Sequence, residues 1–333
     1  MASSGDGGNN RDHGEPRMPK DMKGLLRLCA EVSDPNNENK TGQEVVTNLD
    51  PEKQEFLENA LSDLTVNPVQ RMKECIHLIK TTPDTDDGIE NKLQALEELL
   101  EWCGHIDFAI DFHKIGGFEV FSSLLNHEDA ELRWTCLELV ADLVQNNPYC
   151  QKAVLENNIL PVLLESLDKD QNSTVKTKAL YALSCLCRDN EDGQKLFTEQ
   201  DGFSVLMRAM QTDVEKLKIK ASFMLNSMCT SHPSYKDILC DIGMVEQFIG
   251  LITPEHGPLQ EHVMNALLTL ITDHDRAKDI AQQPQLNLHD ILKERLTVLQ
   301  DKPEYQEEKE YAERILKLIG SNDGRSGNQD VLR

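Results

Sequence analysis

The stretch GHIDFAIDFHKIGG, residues 104–117, holds His105, Asp107, Asp111 and His113, all side chains that ligate zinc. A closed zinc site needs three or four such groups converging on one point. On a helix Asp107 and Asp111 share a face, being four apart, but His113 lies two residues beyond Asp111 and turns away from it. The stretch therefore reads as an ordinary amphipathic helix. The thiols of Cys185 and Cys187 are also two apart and point to different sides, with no second pair to complete a site. DHDR at 273–276 reads as a turn between helices. No HExxH, GxSxG, phosphate-binding loop or dinucleotide fingerprint occurs, so the arrangements that position a nucleophile, a metal or a cofactor are missing. The expectation is a protein that is not an enzyme, with no catalytic residue, metal or cofactor.

The wider composition narrows the class. A net charge of −24 argues against nucleic acid and anionic membranes as partners, because both require clustered Lys and Arg. No apolar window reaches the roughly 18 residues of a spanning helix, and no secretory leader is read at the N-terminus. There are nine cysteines, and Cys136, Cys185 and Cys229 fall on apolar helical positions. That pattern suits reduced thiols used as small hydrophobes. A cytoplasmic protein is expected.

The elements that must carry any site repeat. GGFEVFSSLL, NILPVLLESL, DGFSVLMRAM and GMVEQFIGLI bring Phe118, Leu160, Phe203 and Val245 into register at steps of 42, 43 and 42, with a weaker copy at Leu288. A second motif keeps the same period: ALEELLEWC from Ala95, CLELVADLV from Cys136, ALYALSCLC from Ala179, ASFMLNSMC from Ala221 and MNALLTLIT from Met264. Apolar residues within each copy recur at three and four, the helical period. NNP, DNEDG, SHP and PEHGP break the chain between copies. A period near forty with two or three helices per unit marks an armadillo or HEAT solenoid. The small-residue turns at Gly116-Gly117, Gly202 and Gly243 favour armadillo. The expected organisation is a tail over 1–49, a helical cap over 50–87, and four good armadillo repeats with a fifth degenerate one over 88–302. A capping helix over 303–320 and a second tail over 321–333 follow.

In such arrays the last helix of each unit lines the binding face. Spacing places Lys178, Tyr181, Cys185 and Arg188 on it from the third unit, and Lys220, Phe223, Ser227 and Thr230 from the fourth. Glu138 and Asp142 follow from the second unit, Glu97 and Glu101 from the first, and Ala266 and Leu270 from the fifth. The face should run from acidic, through aromatic with flanking Lys, to apolar. Residues 174–220 carry a local charge of +1, and KLKIK at 216–220 is the sharpest basic patch. An exposed aromatic beside Lys has the character of an interface hot spot. Importins and catenins resemble this array but clamp peptides with a Trp and Asn ladder. Trp102 and Trp134 are read outside the corresponding column, which speaks against a reader of nuclear signals.

DGFSVLMRAM followed by KLKIKASFML and GMVEQFIGLITPEH, with PEYQEE near the end and MPKDMKGLLRL in the tail, resembles one family. It is the heat-shock-protein-seventy-binding, armadillo-type nucleotide exchange factor family of the cytosolic seventy-kilodalton chaperone. The resemblance spans roughly residues 20–320. It implies a curved array of four armadillo repeats between caps, whose concave face embraces the chaperone's ATPase domain and speeds ADP release. Carried over, the embrace uses Lys178, Tyr181, Arg188, Lys218, Lys220 and Phe223, with Glu138 and Ser227 in the same columns. An alternative is an armadillo scaffold, or an inhibitor of chaperone-linked ubiquitin ligation, without exchange activity.

The tail holds an apolar island, MKGLLRLCAEV at 22–32, in an otherwise polar segment. Chaperones of this class bind short Leu-rich peptides flanked by basic residues. By resemblance, Leu25, Leu26, Arg27 and Leu28 within residues 20–32 form a release segment for the chaperone's substrate-binding domain. Equally, Leu25, Leu28 and Val32 have the spacing of an amphipathic helix packed on the N-terminal cap.

Overall fold

The computed structural model describes residues 67–253, 257–300 and 302–320, and among these every regular element is a helix. The chain opens with α1 (Pro68–Thr81) and α2 (Asp86–Cys103). The first triplet is α3 (Ile106–Lys114), a 3-10 turn (Gly117–Val120) running into α4 (Phe121–Leu124), and α5 (Ala130–Val144). The next is α6 (Pro148–Glu156), α7 (Leu160–Lys169) and α8 (Ser173–Cys187). It is followed by α9 (Glu191–Glu199), α10 (Gly202–Met210) and α11 (Glu215–Ser231). Then come α12 (Tyr235–Asp241), α13 (Met244–Gly250) and α14 (Pro258–Ile271). The last described elements are α15 (Asp275–Ala281), α16 (Leu288–Leu299) and α17 (Gln306–Gly320). The expected all-α armadillo architecture is what the chain forms.

Local chemistry sets the period. The turn between the first and second helix of each unit needs one left-handed residue. Gly116, Asn158, Asp201, Gly243 and Asn287 supply it, with φ of 86°, 55°, 58°, 83° and 47°. Gly has no Cβ penalty there, and Asn and Asp tolerate the region better than other residues. Side-chain acceptors then start the helices. Asn147 caps α6, Asn172 caps α8 and Asn190 caps α9, each accepting from backbone N–H groups two or three residues on. In DHDR, Asp273 is left-handed and His274 caps α15 by accepting from Ala277 N–H at 3.1 Å.

The long third helices pack each on the next, so α2, α5, α8, α11, α14 and α17 form one continuous row. The helix read from sequence as a terminal cap, α17, packs on α14 and α16 in the place a third helix holds elsewhere. The core runs along this row through residues such as Leu137, Leu180, Leu225 and Leu267, all essentially inaccessible. Two close approaches tighten the triplets. A Cβ on Gly117 would stand 2.5 Å from the Phe112 ring, and one on Gly202 would stand 2.5 Å from Phe197. Neighbouring units are also pinned by polar side chains. Gln151 Nε2 donates to the carbonyls of Cys185 and Arg188 at 3.1 and 3.2 Å, and Lys236 Nζ donates to Thr272 O at 2.7 Å. Such unit-to-unit contacts are the terms that add up in a solenoid.

All eight described cysteines are free and buried. Burial pushes the thiols of Cys75, Cys150 and Cys240 up to about 11, so they are not ionised at neutral pH. The tail with Leu25, Leu26, Arg27 and Leu28, and residues 50–66 of the expected N-terminal cap, lie outside the described residues.

Candidate partner-binding face

The exposed side of the long-helix row is where the sequence columns point. On α8, Lys178 and Tyr181 are half-buried, and Arg188, just past its C-terminus, is exposed. On α11, Lys220 is half-buried, and Phe223 and Ser227 are exposed. Phe223 keeps 50% of its surface in solvent, unusual for a Phe in a folded chain. Tyr181, Ser184, Arg188, Ile219, Lys220, Phe223 and His262 line a groove of about 260 Å³. Ser227 borders a smaller hollow beside it, with Phe223 and Arg188 again on the rim.

Aromatic rings and cations alternate along the face. Lys220 Nζ sits 4.7 Å from the centre of the Tyr181 ring, and Lys178 Nζ sits 5.7 Å from that of Trp134. These are cation–π distances. Lys178 also meets Glu138 Oε1 at 2.6 Å, so its charge is neutralised within the array. Arg188 and Lys220 form no ion pair among the described residues, nor does Lys218. Lys218 does not line the groove. It precedes Lys220 by two residues, about 200° round the helix, and cannot share its direction. Burial, and then the nearby Cys185 thiol, raise the Tyr181 phenol above its ordinary value, so it stays a neutral donor.

Two expectations for the face are corrected. Cys185 is 2% exposed and lies under Tyr181 rather than beside it. Ala266 and Leu270 are buried at 3% and 1%, so the far end of the face is not apolar. The exposed side of α14 carries Glu261, His262, Asn265 and Thr269 instead, and Thr269 Oγ1 donates to Asn226 Oδ1 on α11. The exposed stripe steps by 42 from Lys220, Phe223 and Ser227 to these residues, one less than the apolar motif suggested. Trp134 stands on this face one turn before Glu138, under Lys178, and so outside the column of Glu138, Tyr181 and Phe223.

Other polar clusters do not compete. The larger cleft, about 610 Å³, is lined by Lys80, Asp84, Lys92, Glu119 and His127 among others. Its charges are spent on one another: Lys92 and His127 both hold Asp84, and Lys80 holds Glu119 at 2.5 Å. Size alone does not make it a site. His113 Nδ1 lies 3.0 Å from the Tyr149 hydroxyl and its ring packs on Phe118, while Asp111 approaches Lys114. Cys240, His274 and Asp237 line up like a hydrolytic triad, with Sγ 3.9 Å from Nδ1 and Nε2 3.1 Å from the carboxylate. But Nδ1 is already an acceptor for the α15 cap, and the thiol is buried with its pKa pushed up. A nucleophile needs the reverse.

A row of helices with an exposed, mixed aromatic and cationic face defines an armadillo-type binding module. A designed armadillo repeat protein superimposes with a TM-score of 0.60 at 15% identity, covering 74% of this chain and 98% of its own. The family model described as the SIL1/FES1/HPBP1 C-terminal domain matches residues 108–248, and that of nucleotide exchange factor Fes1 matches 22–112. Hsp70-binding protein 1 of Rattus norvegicus is 37% identical over 93% of this chain and 88% of its own length. The Homo sapiens protein of that name is 35% identical over 92% and 87%. The Hsp70 nucleotide exchange factor FES1 of Eremothecium gossypii is 29% identical over 55% and 66%. The chain belongs to the Hsp70-binding nucleotide exchange factor family.

Proposed function

We propose that this protein is a non-enzymatic nucleotide exchange factor that grips the ATPase domain of a cytosolic seventy-kilodalton chaperone. The grip is through the long-helix face, the side a solenoid curves around its partner. The observation that carries the reading is the groove of Tyr181, Arg188, Lys220 and Phe223. Two cations without ion pairs and a half-exposed ring stay unsatisfied there in a chain of net charge −24. Such groups gain most from a partner that buries the ring and supplies carboxylates. The family supports the choice of partner, since relatives carry Hsp70 binding and nucleotide exchange in their names. The buried free thiols suit a reducing compartment.

The mechanism needs no chemistry from the protein. A ligand shifts an equilibrium only by binding one state better than another. If the face fits a loosened ATPase domain better than the ADP-closed one, ADP leaves sooner. Linkage then requires ADP to weaken this protein's binding by the same factor by which this protein weakens ADP binding. The affinity of the purified chain for the isolated ATPase domain, measured with and without saturating ADP, tests this. Weaker binding with ADP is expected, and equal affinity in both states contradicts exchange.

Residues 20–32 extend the proposal. Leu25, Leu26, Arg27 and Leu28 would compete for the chaperone's substrate-binding domain. Tethering to the bound array raises their effective concentration to about millimolar. Deleting residues 1–40 should then leave ATPase-domain affinity unchanged and slow displacement of a bound peptide client. A drop in thermal stability with displacement intact would instead place the segment on the array.

A further inference from the structure

The long-helix face holds a second unsatisfied group, of opposite sign. Asp142 on α5 is half-buried and makes neither a hydrogen bond nor an ion pair among the described residues. Burial, and then the neighbouring Glu138, push its carboxyl above the ordinary range, and Lys178 opposes only in part because Glu138 already holds it. Around Asp142 stand Cys103 from α2 and Tyr181, Cys185 and Lys178 from α8. None of these supplies it with an uncommitted cation. Tyr181 senses both Asp142 and Arg188, and those two do not pair with each other. Glu138 meets Lys178 across α5 and α8, so Asp142, one turn past Glu138, stands level with Tyr181, about one turn past Lys178, and Arg188 lines the same groove as Tyr181. A half-buried charge without a partner costs stability. Groups kept in spite of such a cost are found where a ligand supplies the missing partner.

We propose that Asp142 and Arg188, flanking Tyr181, form a two-signed socket that takes one basic and one acidic side chain of the bound ATPase domain. The socket rests on the exchange-factor reading and adds to it a rule of orientation. The partner's cation is mounted toward α5 and its carboxylate toward the end of α8. A partner docked in reverse would set like charges together, which discriminates strongly at an interface.

The test uses the full chain and the isolated chaperone ATPase domain. Affinities are measured across a salt series for wild type, Asp142→Asn and Arg188→Gln, with a thermal melt of each. Each substitution is expected to weaken binding about tenfold, between the effect of a rim charge and that of a buried pair, and to flatten the salt dependence. Asp142→Asn is also expected to melt higher than wild type, because it removes an uncompensated charge. Weaker binding with a higher melting temperature is a combination that a purely structural role does not produce. Wild-type affinity in Asp142→Asn overturns the socket and leaves the exchange-factor reading intact. So does lost binding accompanied by a lower melting temperature. No binding by the wild-type chain overturns both.

Discussion

At the scale of single residues, the array treats its carboxylates in two ways. Burial works against the charge of Asp170, but the Arg133 guanidinium and the Asn172 N–H outweigh it and hold the carboxyl below the ordinary range. The contact is two-pronged, at 2.7 and 3.1 Å, and joins α5 to the turn before α8. Asp142 is pushed the other way by burial and left without a partner. The first is a fastener and the second a cost. Because the folded-state pKa of Asp170 is depressed, its contribution is complete above the unfolded value and is lost as pH falls through the folded one. Asp170→Asn should therefore lower stability at pH 7 by about 1–3 kcal/mol, the range for stranding a buried partner. Denaturant titrations taken stepwise below pH 5 should show the gap to wild type narrowing. A gap that stays constant to the acid limit would mean that charge is not what Asp170 contributes.

At the scale of elements, the repeat is a turn problem solved five times. Three of the left-handed corners are Asn or Asp, and only Gly116 and Gly243 announced themselves as glycines. Asn158, Asp201 and Asn287 take the same place in the period, but the turns expected from sequence were at Gly116-Gly117, Gly202 and Gly243. Gly117 and Gly202 are small for a different reason, the rings of Phe112 and Phe197 pressed against them. Gly202→Ala should cost about 1–3 kcal/mol, as overpacking does. Gly250→Ala, at a position with nothing within 4 Å, should be neutral or slightly stabilising. Equal chemical stability of the two variants would refute the packing argument. The apolar period gave helices, units and the row, because burial is written in side-chain type. It misplaced Cys185, since residues 181 and 185 share a helical face but the thiol packs beneath the phenol. It slipped by one residue on α14, where the motif was aligned on the buried Met264. Which charges pair was not readable at all. That Lys178 is taken by Glu138 while Arg188 is not depends on distances between helices.

At the scale of the whole molecule, one row of long helices presents a mixed aromatic and charged face. Among the described residues the thiols are buried, His274 and Asp129 cap helices, and Asp142, Arg188 and Lys220, which form no ion pair, stand on the exposed face of one row of helices. The release rate of a fluorescent ADP from the isolated chaperone ATPase domain, at rising concentrations of this protein, addresses that account most directly. A parallel series uses the Lys220→Glu, Phe223→Glu double variant. Saturable acceleration by the wild type, abolished in the double variant, is the predicted result. No acceleration by the wild type, or undiminished acceleration by the double variant, would contradict it.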